Sequence, residues 1–217
     1  MERAVPGARL SQWNRSHPRR DVGHGGRGGG RDYLPINDLL GELHPGALSL
    51  GATVNFADIL PDTLCIDPAD IAHRISPRTK VIVVVHYAGH PCEMDPIMEI
   101  AREHGVKVLE DVSHAHGSQY KGSKVGTFGD IAAMSMMAGK SFAIGEGGML
   151  ITDDPTYYER CIAYGHYERT GSRAESGDIS LEELTPFRGV PLGGYKHRLN
   201  QTCAAMGRVQ LRRDVVG

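Results

Sequence analysis

The sequence predicts an α/β fold built on a mainly parallel sheet flanked by helices. Three observations carry this. Lys80 to His86 holds five consecutive β-branched residues, Val81 to Val85, and an unbroken run of that kind reads as a strand buried on both faces, as in parallel sheets. A helical pattern opened by Asp95-Pro96 and stopped by Gly105 follows, and Val106 to Leu109 then reads as the next strand. Strand, helix and strand over some thirty residues make a right-handed βαβ unit.

The remaining elements fall around that unit. Residues 1–41 stand apart: Val22 to Asp32 is rich in glycine and arginine and poor in apolar side chains, too poor to offset its ordering entropy. A disordered or foreign head is expected there. A weak helical pattern covers Leu39 to Leu50, and residues 42–217 form the folded part. Val54 to Ile59 reads as a strand. Asp67 caps a short helix through Ile75, with Pro68 in its first turn. Two further apolar runs, Ile131 to Met137 and Met149 to Thr152, read as buried strands, and Lys140 sits in the loop between them. Helices are expected from Pro155 to about Tyr164 and from Asn200 to Arg213. Glu168 to Gly194 reads as a long polar excursion.

Composition narrows the function classes. The 217 residues carry 40% hydrophobic and 23% charged side chains and a net charge of −2, so no global charge argues for nucleic acid or a membrane surface. The four cysteines are scattered without a C-x-x-C pair, which argues against a zinc site and fits a reducing compartment. The first thirty residues contain no apolar leader, and no apolar run is long enough to span a bilayer. A cytoplasmic protein is expected.

Chemistry concentrates at the carboxyl ends of the strands, where open α/β sheets bind ligands. Glu110, Asp111, His86 and Tyr87 lie at such ends. The loop after Asp111 brings His114 and His116 to the same rim, and Lys140 follows the next strand. A lysine held in apolar surroundings loses its proton readily and then attacks carbonyls. Pyridoxal phosphate requires a Schiff-base lysine, a carboxylate at its pyridine nitrogen and donors for its phosphate. Lys140, Asp111 and Ser135 match those three needs. On spacing alone the same residues also suit bland roles: Asp111 as a turn cap, Ser135 as a strand serine bonded to backbone. His86 and His116 read as structural histidines, Met136 and Met137 as core filling, and Gly145, Gly147 and Gly148 as a tight turn.

The stretch Glu110-Asp111-Val112-Ser113-His114-Ala115-His116-Gly117, then Tyr120-Lys121-Gly122, Val125-Gly126, Phe128-Gly129-Asp130, and Ser135-(x)4-Lys140-(x)4-Gly145-Glu146-Gly147-Gly148, resembles the DegT/DnrJ/EryC1/StrS aminotransferases. The likeness runs from near Leu48 to the end of the chain and includes Ile66-Asp67-Pro68, Pro77-Arg78-Thr79-Lys80 and Gly194-Tyr195-Lys196-His197-Arg198. It implies the type I aminotransferase fold, here as a partial large domain. It implies pyridoxal phosphate held by Lys140 as the Schiff-base residue. Asp111 would sit at the pyridine nitrogen, His114 beside the ring, Ser135 at the phosphate, and Lys196 at the phosphate of a neighbouring subunit's cofactor. A homodimer is implied, with a keto-sugar or keto-cyclitol as acceptor and an amino acid such as glutamate or glutamine as donor. Lysine at position 140 sets the chain apart from relatives that carry histidine there and act as dehydratases. By the same resemblance, His166 lies where relatives sometimes approach the substrate.

Two departures accompany the likeness. Residues 1–41 show neither the family's Gly-Thr phosphate turn nor its stacking aromatic, and the family's smaller C-terminal domain is expected to be missing. Two readings follow: an aminotransferase, or a non-catalytic fragment retained as an inert, binding or dimerising module.

Overall fold

A computed structural model describes residues 32–35, 47, 51–165, 197 and 199–214. Eight strands, four α-helices and one short 3-10 helix (Tyr87–Gly89) are defined there. The strands are β1 (Asp32–Pro35), β2 (Thr53–Val54), β3 (Thr79–Val85), β4 (Lys107–Asp111), β5 (Gln119–Tyr120), β6 (Ser123–Lys124), β7 (Ile131–Ser135) and β8 (Gly148–Ile151). The helices are α1 (Pro68–Arg74), α2 (Met94–His104), α3 (Pro155–Gly165) and α4 (Gln201–Asp214).

Six strands form one sheet in the order β2-β1-β3-β4-β7-β8, and β5 and β6 form a separate two-stranded hairpin. Every pairing from β2 to β7 is parallel, and β7 meets β8 antiparallel. The βαβ unit read from the sequence is β3-α2-β4, and it pairs in register from Val81↔Lys107 to Val85↔Asp111.

Both central helices begin and end as their sequences dictate. The Asp67 side chain accepts from Ala69 N at 2.9 Å, with Pro68 opening α1. Gly105 closes α2 in the left-handed conformation at φ 63°, which glycine adopts without a Cβ penalty. Helix α2 starts one residue before the Asp95-Pro96 pair, at Met94, and its N-cap residue Glu93 makes no side-chain cap bond. The core lies between these helices and the sheet: Ile71, Met94 and Ile97 are fully buried against Ile82, Val84 and Val108. Side chains of that size contribute roughly 1.5–3 kcal/mol each when buried.

The structure departs from the sequence reading at both ends of the sheet. Asp32–Pro35 lies inside the head expected to stand apart, yet it forms β1, paired on both sides. The strand satisfies backbone groups of β2 and β3 that would otherwise lack partners. Its four residues are masked in the sequence by the glycine tract before them. The expected strand over Val54 to Ile59 shrinks to Thr53–Val54, and Ile59 makes only an isolated bridge to Ile66.

At the other end, β8 was expected to be buried, and all four of its residues are exposed, Leu150 at 53%. It is the edge strand, and an apolar run by itself does not say which strand ends a sheet. Met137, expected in the core, is 39% exposed, whereas Met136 is buried at 3%. No helix among the described residues is long and apolar enough to cross a membrane.

Candidate functional site

Period-two alternation along β4 sends its last two residues to opposite faces. Glu110 points into the core, fully buried, and Asp111 lies half-buried on the other face. The backbone pins this end on both sides: His86 N–H donates to Asp111 C=O at 3.1 Å, and Val112 N–H to Ala133 C=O at 2.9 Å.

Glu110 organises the rim from below. Its carboxylate accepts the N–H groups of Gly126 (2.6 Å), Phe128 (2.8 Å) and Gly129 (2.6 Å). It also meets His86 Nε2 at 3.0 Å. Because Cys92 N–H donates to His86 Nδ1 at 3.0 Å, the ring proton sits on Nε2 and donates to Glu110, so the pair needs no charge on histidine. Burial pushes the Glu110 carboxyl up, and the bonds from His86, Gly129, Gly126 and Phe128 outweigh it, holding the group below its ordinary value. Gly129 is required here, since a Cβ would stand 2.8 Å from Val108 O.

Above the sheet, Asp111 Oδ1 accepts from Ser113 N at 2.8 Å. The aspartate therefore does cap the turn, with one oxygen; Oδ2 is the other. Ser113 Oγ in turn accepts from Ser135 N at 2.8 Å, tying the β4 rim to the end of β7. Ser135 Oγ accepts from Met137 N at 3.4 Å, a contact that leaves the hydroxyl proton for another acceptor.

Lys140 stands half-buried on the loop that links β7 to β8. That connection contains no helix, so the chain returns antiparallel. Its base is closed by Met136 N to Gly147 O (2.8 Å) and Ile144 N to Met136 O (2.9 Å), over a small core of Met136, Phe142 and Ile144. Lys140 N–H donates to Met137 O at 3.0 Å, and Gln210 on α4 donates to Ala143 O at 3.0 Å.

His116 joins the two halves. Its Nδ1 lies 2.9 Å from Ser141 Oγ, and its Nε2 is buried with no hydrogen-bond partner. Burial pushes its pKa down. Lys140 and His114 act in the same direction, and Asp111 raises it. One ring thus feels the charges of Lys140, Asp111 and His114. His114 packs edge-on against Tyr87 at 5.7 Å between ring centres.

His86 is the structural histidine the sequence reading made it. His116 is not so simply satisfied, and it was passed over along with Ser113 and Ser141. The signal for Ser113 was a serine two residues after an aspartate at a strand end, an Asx-turn pattern; nothing in the sequence announced the His116–Ser141 contact. Lys196 and His166 lie outside the described residues. Among the described residues no cluster of histidine, cysteine or carboxylate could hold a metal.

Known proteins resemble most of this chain. The family model for the DegT/DnrJ/EryC1/StrS aminotransferase family matches residues 45–214. GDP-perosamine synthase of Escherichia coli O157:H7 is 38% identical over 161 residues, which are 74% of this chain and 41% of that protein. The spore coat polysaccharide biosynthesis protein SpsC of Bacillus subtilis is 40% identical over 167 residues, 75% of this chain and 41% of its own length. The crystal structure of an aminotransferase from Psychrobacter cryohalolentis superimposes with a TM-score of 0.74 at 33% identity, over 85% of this chain and 46% of that one. The chain thus spans less than half the length of these relatives. The mainly parallel sheet, its helices and the match over residues 45–214 lead to one conclusion: the chain belongs to the DegT/DnrJ/EryC1/StrS aminotransferase family.

Proposed function

We propose that this chain carries the cofactor-binding part of a pyridoxal-phosphate-dependent aminotransferase. The reaction would move an amino group from an amino acid such as glutamate or glutamine to a keto-sugar or keto-cyclitol. The observation that carries the reading is the pair of contacts that tie these segments: Ser113 joins the Asp111 turn to Ser135, and His116 holds Ser141, the residue after Lys140. Similarity to a perosamine synthase and a spore coat polysaccharide protein supports a sugar as acceptor.

The donor set fits the cofactor. An amine, a carboxylate with an oxygen beyond its cap bond and a serine hydroxyl stand on segments that Ser113 and His116 tie together, beside a buried imidazole nitrogen. When bound, pyridoxal phosphate supplies an aldehyde that captures amines and a ring that accepts electron density. Asp111 Oδ2 would hold a proton on the pyridine nitrogen. The Ser135 hydroxyl would donate to the phosphate, and His114, braced by Tyr87, would flank the ring. Lys140 Nζ would anchor the aldehyde and then, released by the donor, carry the proton taken from the substrate carbon as a general acid–base. Lys196 would reach the phosphate of a second copy in a homodimer.

The test is a titration of the purified protein with pyridoxal phosphate. A visible band should appear, be fixed by borohydride as an adduct on the Lys140 peptide, and vanish in Lys140→Ala. Absence of any band at saturating cofactor would leave the chain a non-catalytic module.

A further inference from the structure

We propose that His116 is a positioning residue for Lys140, its ring clasping the turn that carries the lysine. This rests on the reading of Lys140 as the cofactor's anchor, and it concerns how the chain presents that amine. The turn leaves β7 at Ser135, passes through Met136 to Lys140, and continues at Ser141. His116 arrives from a different segment, the loop after β4. Its Nδ1 holds Ser141 Oγ at 2.9 Å on the far end of the turn. Phe142, whose ring centre lies 6.0 Å away, backs the imidazole.

The turn has little else to stiffen it. Met137, Ala138 and Gly139 are all exposed, and two of them are small. Its internal bonds are Lys140 N–H to Met137 O and the longer Met137 N–H to Ser135 Oγ. A lysine has a long flexible stem, so the position of Nζ is only as definite as the backbone beneath it, and reaction requires near-attack geometry. The charged and titratable groups acting on the His116 ring are Lys140, Asp111 and His114. The ring therefore fixes the lysine turn and also shares its electrostatic surroundings.

The experiment has two readouts. The first is trace acetylation of the protein without cofactor across pH, followed by mass spectrometry of the Lys140 peptide and normalised to exposed Lys80 and Lys124. The second is the rate at which the visible band forms with pyridoxal phosphate. Ser141→Ala and His116→Gln remove the Nδ1 contact; Ser141→Thr keeps the hydroxyl, and His116→Asn keeps a polar atom where Nδ1 was. In the first pair Lys140 should acetylate several-fold faster while the band forms about five-fold more slowly, the factor that one net hydrogen bond corresponds to. The second pair should stay within two-fold of the parent (about that resolution suffices to separate it from a lost bond). The double variant H116Q/S141A should be no worse than either single. The proposal is overturned if H116N is as defective as H116Q, if the two single losses add, or if Lys140 labels unchanged in S141A. If no variant or parent forms a band, the cofactor reading fails, and the acetylation comparison still decides the clasp.

Discussion

The Glu110 carboxylate lies 3.0 Å from His86 Nε2, both side chains fully buried, directly beneath the strand end that carries Asp111. Two adjacent acids on one strand thus have unrelated tasks. The pleat gives Glu110 to the core, where it collects four hydrogen bonds, and gives Asp111 to the rim.

Glu110→Gln should destabilise the chain by about 3 kcal/mol or more, since it replaces a charged acceptor facing three backbone N–H groups with a neutral amide. Asp111→Asn should cost under about 1 kcal/mol, because asparagine still caps the turn. It should nevertheless weaken cofactor binding, having no charge to hold a ring proton. Urea denaturation and pyridoxal phosphate titration of the two variants check the contrast.

Stability should fall on acidification. Glu110 is held below its ordinary 4.5 in the folded state, so its contribution is full above that value and is lost as pH drops through the folded pKa. His116 is held below 6.5; the folded state therefore favours the neutral ring, and stability declines as pH passes below 6.5. Denaturation midpoints measured from pH 8 downward (about half a unit apart, to resolve both groups) should show the His116 loss first. In His116→Asn that first loss should disappear.

Gly129→Ala should cost about 2–3 kcal/mol, because a Cβ there would lie 2.8 Å from the Val108 carbonyl. The same shift would loosen the N–H of Gly129 from Glu110. A thermal melt reads the loss; an unchanged melting temperature would show that β4 can move aside.

Leu150→Lys on the exposed edge strand should change stability by less than about 0.5 kcal/mol and raise solubility. Light scattering against concentration checks it. A large stability loss would mean that β8 is covered in solution.

Cys65 and Cys92 are buried at 1% and 0%, whereas Cys161 and Cys203 are partly exposed. The Cys65 thiol donates to His90 C=O at 3.3 Å and the Cys92 thiol to Val85 C=O at 3.2 Å. Cys92 is pushed up by its neighbour Cys65 and by burial. Cys65 should alkylate only on unfolding, since a buried thiol is out of the reagent's reach. Timed iodoacetamide labelling with peptide mapping should mark Cys161 and Cys203 first.

Much of the site was legible because it is local. The run Val81–Val85, the Asp67-Pro68 cap, the Gly105 stop and the order of acid, serine and lysine are written in contiguous residues, and short-range physics turns them directly into strands, helices and rim positions. The strand-end places of Asp111 and Ser135 and the loop place of Lys140 were therefore legible, whereas His114 was singled out only by the family resemblance. Tertiary structure decided what depends on residues far apart in the chain. It inserted Asp32–Pro35 between β2 and β3, left β8 at an open edge, sent Glu110 inward to four donors, and set the His116 ring against Ser141, twenty-five positions away. Such contacts arise from the packing of whole strands and loops, and no local pattern of residues encodes which side chain a distant loop will meet.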